Sequence, residues 1–261
     1  MPEIIEIEMY RRPLTALVGE RLSGIELPDV HYARPVGADA TLAAVRSTTL
    51  TAVRRVGKLL LLDHDGPDLQ GTLGLRFGMT GRLLIDEVGP IDRLEYSSGR
   101  NDPAWDRVRL RYGDHVVAVR DPRRLGSIEL EPEESLLGAD AWTISFEDLD
   151  AAMAGRSAPL KSFLLNQKAI AGLGNLLADE VLWRVGVSPM RSVNEVHPAE
   201  REVLAAAIRE VITDLDRRGG SHRGDSFPLR NAEAACTRDG AAMRHDTVGG
   251  RSTWWCPAHQ G

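Results

Sequence analysis

Pro2 and Glu3 stand first among the residues that could do chemistry. Once Met1 is removed, Pro2 carries a secondary amine at the start of the chain. An ordinary α-amino group has a pKa of about 8, so an unprotonated fraction exists near neutral pH. Such an amine attacks an electrophilic carbon and leaves an iminium adduct. Glu3 and Glu6 stand close enough in sequence to move protons beside it. With Met1 retained, Pro2 is an unreactive amide, and Pro at position two also suits a plain helix start. A second constellation is Lys161 with Gly172, Gly174 and Asn175 ahead of an apolar helical stretch. Glycines before a helix expose backbone N–H groups to an anion, and the helix dipole favours its charge; the alternative is a tight turn in which glycine serves packing only. Only Lys58, Lys161 and Lys168 among the 32 basic residues are lysines. Each is read either as a place where a compact ammonium that can give up its proton has a use arginine lacks, or as an accidental survivor of a composition that favours arginine.

These residues need elements to hold them. The span from Ile4 to Leu17 is helical in pattern, with Pro13 a disturbance. Short β-like runs follow at Leu22–Leu27, Leu50–Val56, Lys58–Asp63, Thr72–Phe77, Arg82–Ile85, Val108–Tyr112, Val116–Val119 and Ser127–Leu130. Strands at short intervals without intervening helices predict an antiparallel sandwich or barrel. Residues 87–104 read as an irregular insertion. Beyond residue 132 the pattern is helical at Phe146–Met153, Pro159–Gln167, Leu176–Val185 and Pro198–Arg217, with Gly219-Gly220 as a stop. The expected fold is α+β: a β-sandwich with an N-terminal helix over 1–131, a helical domain over 132–220 and a terminal hairpin module over 221–261.

Composition narrows the setting. No apolar run reaches the length of a membrane span, and the acidic N-terminus is unlike a signal peptide. A cytoplasmic, monomeric protein is expected. The net charge is −6, yet from Arg217 to Gly261 seven arginines face four acids. A basic face on an acidic chain suits phosphate binding. Cys236 and Cys256 are the only cysteines. Such a pair concerns metal or packing more than a disulfide, although a bridge closing a loop of 20 residues stays open.

The stretch from Lys161 to Pro189, including "LLNQKAIAGLGNLLADEVLWRVGVSP", resembles the helix–two-turn–helix of the formamidopyrimidine-DNA glycosylase/endonuclease VIII family, nearest its formamidopyrimidine branch. The opening "MPE", "VGKLLLL" around Lys58, "GMTGRL" at Gly78–Leu83, "DPRRLG" at Asp121–Gly126 and "VGGRSTWWC" at Val248–Cys256 extend the likeness in order along the chain. The resemblance implies a bifunctional DNA glycosylase and abasic-site lyase of base excision repair, removing an oxidised or otherwise damaged purine and nicking the strand. Pro2 would attack the anomeric carbon and Glu3 would handle protons. Lys58, on a strand, would assist β-elimination, and Arg251 would bind phosphate and assist the second elimination. Met79 would fill the space vacated by the base, Arg123 would read the orphaned partner base, Leu125 would take the place of the wedge, and Lys161 and Asn175 would hold the DNA backbone. The implied partner is damaged double-stranded DNA at the nucleoid; chemistry at an anomeric carbon requires the base to leave the stack. No cofactor takes part in the reaction.

The likeness has departures. Leu125 stands where a Phe is usual, Ile5 where a second Pro is usual, and Arg76 where a His is usual. A His-rich phosphate contact is replaced around Trp105-Asp106. The family's structural zinc finger carries Cys-x-x-Cys twice; here the halves read Cys236-Thr-Arg-Asp239 and Cys256-Pro-Ala-His259. Zinc accepts all four donor types, with His245 a rival ligand and a metal-free hairpin packed through Trp254 and Trp255 the alternative. Segment 221–235 is shorter than its usual counterpart, which leaves open the same chemistry on a bulky or pyrimidine lesion. A non-catalytic binder of damaged DNA is the remaining alternative.

Overall fold

A computed structural model describes residues 2–66, 70–91, 94–95 and 100–261. The chain forms two compact units, one of Pro2 and residues 6–134, the other of residues 3–5 and 135–261. Helix α1 (Ile4–Leu14) buries Ile4, Ile7, Tyr10 and Leu14 along one stripe, with Pro13 confined to its last turn.

The first unit holds β1 (Leu22–Glu26), α2 (Ala38–Val45), β2 (Thr49–Val56), β3 (Leu59–Asp65), β4 (Gln70–Arg76), β5 (Arg82–Ile85), β6 (Asp106–Tyr112), β7 (His115–Arg120) and β8 (Ser127–Leu130). They make two four-stranded antiparallel sheets, in the orders β1-β6-β7-β5 and β2-β3-β4-β8. Alternation sets which side chains point inward: β6 buries Val108, Leu110 and Tyr112 while its arginines point outward. Leu60 and Leu62 of β3 join the same core from the other sheet. A polar link crosses it. The Leu62 carbonyl, 3.0 Å from His64 Nδ1, can only accept, so Nδ1 carries the hydrogen and Nε2 accepts from the Tyr112 hydroxyl at 2.7 Å. The expected sandwich is therefore present, and its strands fall where the alternating runs predict. Helix α2, an Ala-rich stretch after Gly37, carries no comparable sequence signal. Of the expected irregular insertion, Asp92, Arg93 and residues 96–99 lie outside the described residues; Pro103–Trp105 forms a short 3-10 turn capped by Asp102.

The second unit contains β9 (Ala139–Asp140), α3 (Phe146–Met153), α4 (Leu160–Leu164), β10 (Ile170–Ala171), α5 (Asn175–Val185), α6 (Pro198–Arg217) and the hairpin β11 (Arg244–Val248) and β12 (Arg251–Trp255). Ser145 and Asp148 form a reciprocal cap on α3. Helix α5 is buried all round from Asn175 to Trp183 and forms the centre of the unit. Helix α6 is amphipathic, burying Leu204, Ile208, Val211, Ile212 and Leu215. Helix α4 is shorter than its pattern predicts. It stops because Asn166 turns its side-chain oxygen onto the Lys168 N–H at 3.0 Å, a local bond that competes with helix continuation. The helical segments and the hairpin share this one unit. Among the described residues no helix is long and apolar enough to cross a membrane.

Candidate active site and nucleic-acid interface

Glu3 is the most tightly placed of the candidate residues. Its carboxylate is buried and accepts the N–H groups of Gly174 (2.7 Å), Leu176 (2.9 Å) and Leu177 (3.2 Å) at the start of α5. A Cβ on Gly174 would lie 2.2 Å from the Glu3 carboxyl carbon, so only glycine leaves room for it. Gly172, at φ 121°, gives the same close approach to Ile4, whose N–H donates to the Gly172 carbonyl at 3.1 Å. Of the two readings of the glycine turn, the close packing of Gly172 and Gly174 agrees with the second, a turn in which glycine serves packing. The helix terminus does bind an anion, and the anion is the chain's own Glu3.

In the first unit, Pro2 is buried immediately ahead of Glu3 in sequence. Lys58 is not on a strand as expected. It is the second residue of the two-residue turn joining β2 to β3, where Gly57 takes the positive φ of 56° that the turn requires. Met79, half-buried, lies in the turn from Phe77 to Gly81. That turn packs on the segment from Asp121 to Gly126, for a Cβ on Gly78 would meet the Leu125 backbone at 2.6 Å. Asp121, fully buried, organises both pieces. Its carboxylate accepts from the Thr80 hydroxyl (2.6 Å) and from the N–H groups of Arg123 (3.2 Å), Leu125 (2.8 Å) and Gly126 (2.9 Å). The result is a rigid loop that presents Arg123 and Leu125 outward, with Leu125 46% exposed. Among the described residues the Arg123 guanidinium has no partner, whereas Arg124 is an ion-pair partner of Asp29 at 2.5 Å.

The two departures near phosphate-contact positions are structural here. Arg76 donates to Glu129 at 2.7 Å. Asp106 is buried and pairs with Arg120 Nε (2.6 Å) and Arg109 (2.8 Å).

In the second unit Lys161 is fully buried, so the direct DNA contact expected of it gives way to an internal one. Its ammonium lies 2.6 Å from Asp179 and donates to the Ser252 carbonyl (2.9 Å) and the Thr253 hydroxyl (2.8 Å). Asn175 Nδ2 also donates to the Ser252 carbonyl, at 3.0 Å. Burial lowers the Lys161 pKa and raises that of Asp179, with each charge opposing the shift of the other. Arg230 is the second partner of Asp179. Arg251, next to Ser252, follows the Gly249-Gly250 turn and is exposed, its guanidinium without a partner among the described residues. Asp121, Asp179 and Glu180 were not singled out from sequence. A position inside an apolar run marks Asp179 and Glu180, whereas Asp121, between Arg120 and Pro122, carries no such signal. Glu180 fastens the short segment 221–235 to α5, accepting from the Asp225 N–H (3.1 Å) and from the Ser226 N–H (2.8 Å) and hydroxyl (2.6 Å).

Cys236, Asp239, Cys256 and His259 converge, each offering one donor atom within 4.8 Å of the others. His259 Nε2 lies 3.2 Å from the Trp183 carbonyl, and Nδ1 lies 2.8 Å from Asp239 Oδ2 and 3.5 Å from the Cys236 sulfur, so Nδ1 is the ring nitrogen turned toward the cluster. Asp239 Oδ1 is held by the Ala241 N–H at 2.8 Å; that bond, with the nearby His259, lowers its pKa to about 2. Two sulfurs, one imidazole nitrogen and one carboxylate suit a closed tetrahedral zinc site. His245 does not take part: it stacks on Trp254, centroids 4.6 Å apart, with Nε2 2.8 Å from the Ser252 hydroxyl.

Two domain classes cover most of the chain. Residues 1–128 match the model of the formamidopyrimidine-DNA glycosylase N-terminal domain, and residues 137–223 that of the formamidopyrimidine-DNA glycosylase H2TH domain. Formamidopyrimidine-DNA glycosylases of Dechloromonas aromatica and of Xanthomonas campestris pv. campestris are each 33% identical to it, over 100% of both chains. The chain belongs to the formamidopyrimidine-DNA glycosylase family. Its fold matches that of the Lactococcus lactis enzyme bound to DNA containing an abasic site (TM-score 0.81, 23% identity, 99% of both chains). It also matches a complex of MutM with DNA containing carbocyclic 8-oxo-G (TM-score 0.82, 22% identity, 99% of both chains).

Proposed function

We propose that this protein is a bifunctional DNA glycosylase and abasic-site lyase of base excision repair, acting on oxidised purines in double-stranded DNA. Family membership supports the activity, and the anchoring of Glu3 on three N–H groups of α5 carries the assignment of residues. With Met1 removed, the Pro2 nitrogen forms a bond to the anomeric carbon as the bond to the base breaks, the base leaving with a proton. Loss of the amine proton leaves a neutral aminal, and the iminium forms when the bond from the anomeric carbon to the sugar-ring oxygen breaks and that oxygen takes a proton. Glu3, one residue away, supplies and accepts protons. Lys58 takes the proton for β-elimination, and the exposed Arg251 binds phosphate. Met79 and Leu125 occupy the gap in the stack, an apolar side chain being able to hold a base step open, and Arg123 reads the orphaned partner base. Cys236, Asp239, Cys256 and His259 hold a structural zinc that closes the base of the Arg251 hairpin. The protein works as a monomer in the bacterial cytoplasm.

Borohydride reduction tests the chemistry. Mixed with a duplex carrying an abasic site, the protein is expected to become covalently trapped on the DNA, and Pro2→Gly is expected to lose most of the adduct. Absence of an adduct from wild-type protein whose N-terminus is Pro2 by mass spectrometry rejects the reading. A duplex carrying 8-oxoguanine tests the base: an adduct with the abasic site alone would leave the lyase standing and remove the purine.

A further inference from the structure

Lys161, Asp179 and Arg230 form a buried charged cluster that none of the assigned chemistry uses, and it ends at the hairpin carrying Arg251. Asp179 lies on α5, pairs with Arg230 on one side and holds the Lys161 ammonium at 2.6 Å on the other. Lys161 passes the restraint on, donating at 2.9 Å to the Ser252 carbonyl and at 2.8 Å to the Thr253 hydroxyl. Thr253 is fully buried, and its hydroxyl lies 3.0 Å from the Arg251 carbonyl. Asn175 Nδ2 grips the same Ser252 carbonyl at 3.0 Å. The turn is fitted as closely: a Cβ on Gly249 would stand 2.5 Å from the Ser162 hydroxyl. The backbone on both sides of Arg251 is thus fastened to α4 and α5 while its guanidinium is left outside.

We propose that Asp179 is a positioning residue. Through Lys161 it fixes the start of β12 so that Arg251 is presented to a DNA phosphate in one orientation. The physical reason is the cost of an unpaired buried cation. Without Asp179 the Lys161 ammonium must lose its proton or leave its site, and either change weakens the grip on Ser252. This inference rests on the reading of Arg251 as a phosphate-binding residue.

A double-mutant cycle tests it, using dissociation constants for a duplex carrying a tetrahydrofuran abasic analogue. Asp179→Asn and Arg251→Ala are each expected to weaken binding about tenfold, the equivalent of ~1.4 kcal/mol. Because one acts through the other, the double variant is expected to lie within about twofold of Arg251→Ala alone. Losses that multiply to about a hundredfold would overturn the proposal, as would an Arg251→Ala variant that binds like wild type. Should Asp179→Asn fail to fold, Lys161→Met replaces it in the cycle, since Asp179 then keeps Arg230 as its counter-charge. Borohydride trapping of wild-type protein on a true abasic site runs alongside. No adduct removes the lyase reading and this inference with it, whereas an adduct together with multiplying losses removes only the role of Asp179.

Discussion

Replacing Glu3 by Gln removes the charge while keeping the shape. One carboxylate oxygen accepts from Gly174 and Leu177, the other from Leu176. The amide oxygen of Gln can keep the first pair of bonds. Its NH2 group then faces the Leu176 N–H, donor against donor, in a buried site. An unsatisfied buried donor costs ~1–3 kcal/mol. Loss of a negative charge at a helix N-terminus removes a further ~0.3–2 kcal/mol. Together these predict a loss of roughly 2–4 kcal/mol. With a urea dependence of ~2 kcal/mol per molar, the unfolding midpoint should fall by about 1–2 M. The function should divide as well. In the proposed mechanism base release needs proton handling at Glu3, whereas adduct formation on a preformed abasic site has no base to expel, so Glu3→Gln should lose the first far more than the second. A midpoint within about 0.3 M of wild type, or equal losses in the two reactions, would refute the reasoning.

Three further outcomes are expected. Burial lowers the His64 pKa to about 4, below the ordinary value of about 6.5. The native state thus disfavours the proton, so stability is fully present above pH ~6.5 and is lost as pH falls toward ~4, by about 3 kcal/mol in all. Urea unfolding followed between those limits, with a His64→Asn comparison, checks the slope; a flat profile down to pH ~5 would contradict it. For the metal, elemental analysis of protein purified without chelator should give about one zinc per chain, and Cys256→Ala close to none, since loss of a thiolate opens the closed site. Arg123→Ala, which breaks no bond among the described residues, should leave stability within ~0.5 kcal/mol. It should nonetheless change the rate ratio between duplexes that differ only in the base opposite the lesion.

Much of the fold was legible because its signals are local. The alternation of β6 and the i, i+4 stripe of α6 come from which residues face a core, and neighbours a few positions apart record that directly. Lys58 shows where local reading stops. The runs Leu50–Val56 and Lys58–Asp63 part at Gly57 alone, with Lys58 opening the second, but the pairing of Val56 with Leu59 and the positive φ of Gly57 take Lys58 into the turn. Helix α2 was missed for the opposite reason: eight residues without a strong stripe carry too little pattern to stand out.

The chemistry-bearing residue types are legible from order and spacing alone: a proline and glutamate at the start, a lysine beside Gly57, an arginine after two glycines, and four side chains of metal-ligating type in two pairs. What each of them touches is not. Glu3 meets the N–H groups of residues 174–177, Lys161 meets Asp179 and Ser252, and His259 turns toward Asp239 while His245 turns away. A helix N-terminus attracts any anion and a buried ammonium accepts any carboxylate. Only the packing of distant segments decides which partner arrives. That is why Glu3 fills the helix terminus that sequence alone left to a phosphate or to close packing, and why Lys161 grips the hairpin backbone.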